Sequence, residues 1–134
     1  MRCVEDICVF YRHKPTYNPQ GLVRLDKEII HTPVNSDVYD CKRKNASIQT
    51  HKGYPKNLLE FKNIPTNTRL HPTQKPVELL EYLIKTYTNE GEIVLDNCMG
   101  SGSTGVACMN TNRRFIGFEL DKQYFDVAKG RLKL

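Results

Sequence analysis

Residues 96–108 read DNCMGSGSTGVAC, from Asp96 to Cys108, and their reading decides the fold. The run before them, EIVLD (92–96), is short and apolar, which predicts a buried-type strand. Gly100, Gly102 and Gly105 follow at the spacing G-x-G-x-x-G, and a helix is expected from about Ser103 to Asn110. RFIGFE (114–119) reads as a second strand. Asp121 is placed to cap a last helix, with Tyr124, Phe125, Ala128 and Leu132 facing inward. Upstream, Pro76 stands at an expected first helical position, and Leu79, Leu80, Leu83, Ile84 and Tyr87 share one face up to a stop at Gly91. Helix, strand, helix, strand, helix implies parallel strands joined by crossover helices, hence an α/β sheet.

A glycine loop between a parallel strand and a helix presents free backbone N–H groups and the positive end of the helix dipole, so it favours anionic groups. Glu119 ends the next strand, 23 positions after Asp96, where an acid accepts hydrogen bonds from ribose hydroxyls. The glycine triplet also occurs in the pyrophosphate loops of nicotinamide-dependent oxidoreductases. Three features argue against that reading. A carboxylate at Asp96 repels a pyrophosphate but attracts an ammonium. The loop from Asp96 to Gly100 is wide. The chain continues for only about one helix beyond Glu119. A strand-tip acid beside helix amides suits an amino acid, and an amino acid joined to a ribonucleoside describes S-adenosylmethionine.

The rest of the chain bounds the possibilities. Its 134 residues make at most one ordinary domain, and 39% hydrophobic with 26% charged residues is a globular composition. No run of about 18 apolar residues predicts a membrane span, and residues 1–20 lack the apolar stretch of a secretion signal. Cys3, Cys8, Cys41, Cys98 and Cys108 are odd in number and form no C-x-x-C pair. They are therefore expected to pack as small apolar residues in a reducing cytosol. No metal-ligand spacing joins His13, His31 and His51, which are expected on the surface, so no metal is expected. Residues 1–75 carry 13 Lys and Arg against 7 Asp and Glu, whereas residues 76–134 carry 7 against 8. That asymmetry suggests a polyanion partner for the first part, or a solvated basic surface.

VEDICVFYR (4–12) reads as a strand, ended by His13-Lys14-Pro15. Residues 14–70, broken by Pro15, Pro19, Pro33, Pro55 and Pro65, are expected to be mostly irregular, with short strands or turns near Leu22–Leu25 and Leu58–Phe61. Lys42-Arg43-Lys44 is either a solvated loop or a phosphate contact, and Gln49, Thr68 and Arg69 are candidates for base contact. Tyr17, Tyr39 and Tyr54 either pack or stack.

HPTQKPVELLEYLI, VLDNCMGSGSTGVAC and FIGFELDKQYFDVAKGRL together resemble the C-terminal part of the β-subgroup DNA amino-methyltransferases, which act on adenine N6 or cytosine N4. ICVFYRHKPTYNPQ resembles the segment joining the catalytic half to the target-recognition region, and GYPKNLLEF (53–61) the end of that region. The resemblance implies an incomplete Rossmann-like methyltransferase sheet, α/β in class, with residues 1–13 as a strand from the catalytic half. It makes 14–70 the irregular target-recognition region and 71–134 the S-adenosylmethionine-binding subdomain.

It also implies that His71, Pro72, Thr73, Gln74 and Lys75 line the cofactor site near the methionine tail, and that Asp96 lies beside the amino-acid part. Gly100, Ser101, Gly102, Ser103 and Thr104 build the loop beneath it, Glu119 binds the ribose hydroxyls, and Leu120 and Asp121 flank the adenine. The family pattern has Pro and Phe after the aspartate, where this chain has Asn97 and Cys98. The family's catalytic Pro-Pro-aromatic motif is absent, Asn18-Pro19-Gln20-Gly21 being the nearest approach. The implied partners are double-stranded DNA and either the N-terminal catalytic half or a second copy, in a bacterial or phage-infected cell. This chain by itself is expected to bind cofactor weakly and not to methylate. The alternative is a non-catalytic DNA- or partner-binding remnant with a vestigial pocket.

Overall fold

The computed structural model describes residues 4–32, 34, 35, 42, 43 and 45–134, the pairs 34–35 and 42–43 in backbone only. Two compact units emerge: residues 1–18 with 61–134, and residues 19–60.

The smaller unit is built on a hairpin. Strand β1 (Val23–His31) carries β2 (Val34–Asn35) just beyond it, and β3 (Lys42–Arg43) leads back into β4 (Ser47–Lys52). β1 pairs antiparallel with β4, and β2 with β3. Arg24 faces His51 while Ile29 faces Gln49, so β1 bulges between the two pairs. At the open end of the hairpin Gly53 has φ +76°, and a Cβ there would stand 2.2 Å from the Gly21 carbonyl oxygen. Among the described residues none between 19 and 60 is buried. This stretch is thus more regular than its composition suggests. Its charged run Asp26-Lys27-Glu28 falls inside the bulge, which hides the alternation of a strand. Residues 58–61 form no strand.

In the larger unit the residues 4–12 form no strand either. Val4, Ile7, Val9, Phe10 and Tyr11 are all exposed, so β-propensity there meets no neighbouring ladder. Helix α1 (Val77–Tyr87) starts after Pro76, which is the N-cap and not the first helical residue. It ends before Gly91, because Thr88 turns extended and its amide and hydroxyl both bond the Ile84 carbonyl. Strand β5 (Ile93–Asp96), helix α2 (Ser103–Asn110), strand β6 (Arg114–Gly117) and helix α3 (Lys122–Leu132) follow. β5 and β6 pair in parallel, with Val94 opposite Phe115 and Asp96 opposite Gly117.

Ile84, Ala107 and Cys108 form the core, packed by Val77, Leu80, Val94 and Phe115. Burying a side chain such as Ile84 contributes about 1.5–3 kcal/mol. Burial, opposed by Arg113 and aided by Asp96, raises the pKa of the Cys108 thiol to about 11. Cys8 and Cys98, expected to pack, are exposed instead, while Cys3 and Cys41 lie outside the described residues. On α3, Ala128 and Leu132 are buried and Tyr124 half-buried, but Phe125 is exposed, contrary to the expected inward face.

The two-stranded sheet is clothed on one face. Ile93 (50%), Leu95 (61%) and Ile116 (44%) point away from the core and stay open to solvent, as does Phe118 (58%) just beyond β6. Parallel strands normally lie between covered faces. Among the described residues no helix is long and apolar enough to cross a membrane.

Candidate functional site

Parallel sheets offer ligands the crevice at the carboxyl ends of their strands. Here that end holds Asp96, Gly117 and the loop 97–102. Gly100 (φ +52°) and Gly102 (φ +75°) both take left-handed conformations. A Cβ on Gly102 would come 2.9 Å from the Ala128 Cβ, so the loop and α3 approach as closely as they do only with glycine there.

The start of α2 differs from the start of α3. Asp121 caps α3, its carboxylate accepting from the amides of Gln123 and Tyr124 at 2.8 and 3.2 Å. The N-cap of α2 is Gly102, with no side-chain cap. Its first helical bond runs from the Val106 amide to the Gly102 carbonyl, which leaves the amides of Ser103, Thr104 and Gly105 without α-helical acceptors. An uncapped helix start beside two carboxylates is a cradle for a ligand that carries both a negative and a positive group.

Each carboxylate is fixed. Asp96 accepts from the Thr104 hydroxyl at 2.6 Å and from the Cys98 amide at 3.1 Å. Glu119 accepts from the Gly100 amide at 2.8 Å and from the Asp121 amide at 2.9 Å. The Asp121 amide first, then those of Gly100 and Leu120 and the nearby His71, hold the Glu119 carboxyl below its ordinary value. A carboxylate offers about four acceptor positions, so both acids retain capacity for a ligand.

His71 closes one side. Its ring comes within 3.2 Å of where a Cβ on Gly100 would stand, and meets the Tyr124 ring edge-on with centroids 4.2 Å apart. Its Nδ1 is engaged by the Thr73 hydroxyl at 3.1 Å. A cleft of about 480 Å³ opens beside it, lined by Thr66, Arg69, Leu70, His71, Pro72 and Tyr124.

The sequence-derived residues thus divide. Asp96, Thr104, Gly100, Gly102, Glu119 and His71 come together at the strand ends. Ser101 and Ser103 are buried beneath the loop, where the Arg131 guanidinium holds them, so their hydroxyls face α3. Lys75 pairs with Glu5 at 2.5 Å, Gln74 accepts from the Leu70 amide, and Leu120 is fully exposed with nothing packed on it. Arg131 itself carried no sequence signal beyond a basic residue in a last helical turn.

In the smaller unit His31 and His51 are half-buried, not superficial, and Gln49 is spent internally, bonding His31 through Oε1 and the His51 carbonyl through Nε2. The side chains of Lys42-Arg43-Lys44 and of Tyr39 lie outside the described residues. Tyr17 packs on Tyr87 with ring centroids 6.1 Å apart, whereas Tyr54 is exposed. Among the described residues no group of three or more His, Cys, Asp or Glu is disposed to hold a metal ion.

Comparison with known proteins bears on this geometry. The type II methyltransferase M.HpaI of Haemophilus parainfluenzae is 43% identical over 81 residues, 58% of this chain and 26% of that protein. M2.DpnII of Streptococcus pneumoniae is 49% identical over 63 residues, 47% of this chain and 24% of that protein. The chain spans about a quarter of the length of these curated relatives. Among solved structures, the M1.HpyAVI–SAM complex superposes with a TM-score of 0.52 at 34% identity, covering 85% of this chain and 64% of that one. The PvuII DNA methyltransferase, described as cytosine-N4-specific, gives 0.53 at 27% identity over 58% of this chain and 32% of that one. The family model described as DNA methylase matches residues 2–130, and this chain belongs to that family.

Proposed function

We propose that this chain is the cofactor-binding and target-recognition portion of a DNA amino-methyltransferase, adenine N6 favoured over cytosine N4. The observation that carries the reading is the uncapped start of α2 between Asp96 and Glu119, in a chain of the DNA methylase family. The donor set fits S-adenosylmethionine: a carboxylate for its ammonium, helix amides for its carboxylate, and a second carboxylate for its ribose hydroxyls. Bound there, the cofactor supplies an electrophilic methyl group.

The chain's own residues bind and orient. Asp96 holds the ammonium; the amides of Ser103 and Thr104 hold the carboxylate; Glu119 takes the ribose; Leu120 and Asp121 flank the adenine; His71, Thr73 and Lys75 line the methionine side. Gly100, Ser101 and Gly102 shape the floor. Residues 71–134 form the cofactor subdomain, 14–70 the recognition region that meets double-stranded DNA, and 1–13 the link to the catalytic half.

Methyl transfer to an amino group needs a Pro-Pro-aromatic segment to hold the flipped base, and this sequence contains no Pro-Pro pair. A catalytic half supplied from outside residues 1–134 completes the enzyme, within the cytoplasm of a bacterial or phage-infected cell. The exposed apolar face of Ile93, Leu95, Ile116 and Phe118 supports that partner, because parallel sheets are ordinarily covered on both faces. Titration calorimetry with S-adenosylhomocysteine tests the reading: one site per chain is expected, and absence of heat at millimolar ligand with the chain folded refutes it.

A further inference from the structure

Helix starts rich in serine and threonine tend to cap themselves. A hydroxyl at or near the N-cap accepts from the amides two or three residues on, and those amides are then lost to a ligand. Ser101 and Ser103 flank the N-cap Gly102, within reach of the first-turn amides, yet no side chain caps α2. Thr104 is turned to Asp96. Ser101 and Ser103 are turned to Arg131, one residue of α3. Its Nη1 donates to the Ser101 carbonyl at 2.6 Å and faces the Ser103 hydroxyl at 3.1 Å and the Ser101 hydroxyl at 3.2 Å. Both serines are nearly fully buried. The reach depends on α3 lying close under the loop, which Ala128 against Gly102 allows.

We propose that Arg131 is a positioning residue for the ligand loop: by engaging the acceptors of Ser101 and Ser103 from beneath, it keeps the first-turn amides of α2 uncapped and available. Its positive charge also adds to the potential at that helix end, where an anionic group binds. The inference rests on the cofactor reading above for what the amides receive, but not for the loop geometry itself.

The test compares residues 1–134 with the same chain carrying Arg131→Met or Arg131→Lys. S-adenosylhomocysteine affinity is read by calorimetry, and amide hydrogen exchange is read residue by residue without ligand. In Arg131→Met, affinity is expected to fall about tenfold, the loss of a charged hydrogen-bond donor. Exchange at Gly102 and Val106, whose amides bond Met99 and Gly102, is expected to quicken by a similar factor while the β5–β6 pairs stay protected. Arg131→Lys is expected to restore part of both.

Unchanged affinity and unchanged loop exchange in Arg131→Met would overturn the proposal. So would acceleration spread evenly over α3 and the sheet with no recovery by lysine, which marks a plain packing role. If the unsubstituted chain binds no S-adenosylhomocysteine, the cofactor reading fails by itself. The exchange pattern then decides the inference: loop-confined acceleration upholds it, and any other pattern sinks it.

Discussion

Residues 61–134 and residues 19–60 are folded by different means. The first region has a core, with Cys108 and Ala107 fully buried and Phe115 packed against them, and Gly102, Gly105 and Gly117 stand where neighbouring side chains press in. The second has no buried residue among those described, and it is held by a bulged hairpin and by side-chain bonds such as His31 to Gln49. A site that must hold one small ligand in one geometry is built on packed, regular elements. A surface that must follow a long, variable partner is built on ladders and polar contacts that cost little to rearrange. Under the proposed assignment of this stretch to DNA recognition, the absence of a buried residue among those described in 19–60 suits such a surface.

The sharpest way to break the contrast is to place the same insult in each region. Gly102→Val forces a β-branched side chain into φ +75° and onto Ala128, a cost of about 3–5 kcal/mol, enough to unfold 61–134 in a marginally stable domain. Gly53→Val strains φ +76° and collides with the Gly21 carbonyl, yet it is expected to melt only the β1–β4 ladder. Residue-resolved hydrogen exchange separates the two. If Gly53→Val also strips protection from β5 and β6, the regions are not independent in the way described.

A milder change sharpens the division by function. Asp96→Asn keeps the shape of the strand tip and removes its charge. S-adenosylhomocysteine affinity is expected to drop about 100-fold by calorimetry, the loss of a charge-assisted contact, with exchange in 19–60 unaltered.

The acid limb gives a smaller effect, and its sign follows from Glu119. That carboxyl titrates below its ordinary 4.5 in the folded chain because backbone amides bond its charged form. Its stabilisation is therefore complete above pH 4.5 and is lost as pH falls through the lower folded value. Ligand affinity measured from pH 7 to 3 is expected to weaken along that limb. Glu119→Gln should flatten it and cost about tenfold at neutral pH. An unchanged limb in the variant would assign the titration to another group.

The smallest effect concerns the thiols. Cys8 and Cys98 are exposed and should label with a thiol reagent in the native chain, while Cys108, pushed to about 11 and buried, should label only on unfolding.

How much of this was legible in the sequence divides along the same line. The helical spacing of Leu79, Leu80, Leu83 and Ile84, the glycine loop and the acids Asp96 and Glu119 declared the α/β half, since local pattern and tertiary role agree there. The hairpin did not declare itself, because the bulge at residues 25–28 puts charges where a strand would alternate. The run at 4–12 misled in the opposite sense: it has the composition of a strand and no ladder to join. The glycine spacing was visible, but not that Glu119 would take the Gly100 amide for itself, nor that Arg131 would reach back 30 residues to hold Ser101. Contacts of that kind depend on where α3 lies, which no local pattern encodes.

The most direct test of the central claim is amide chemical-shift mapping of residues 1–134 titrated with S-adenosylhomocysteine. The expected result is saturable shifts concentrated at Asp96–Thr104 and Glu119–Asp121, with the amides of Ser103 and Thr104 among the largest and 19–60 silent. Saturable shifts centred on other residues, with those two segments unmoved, would contradict it.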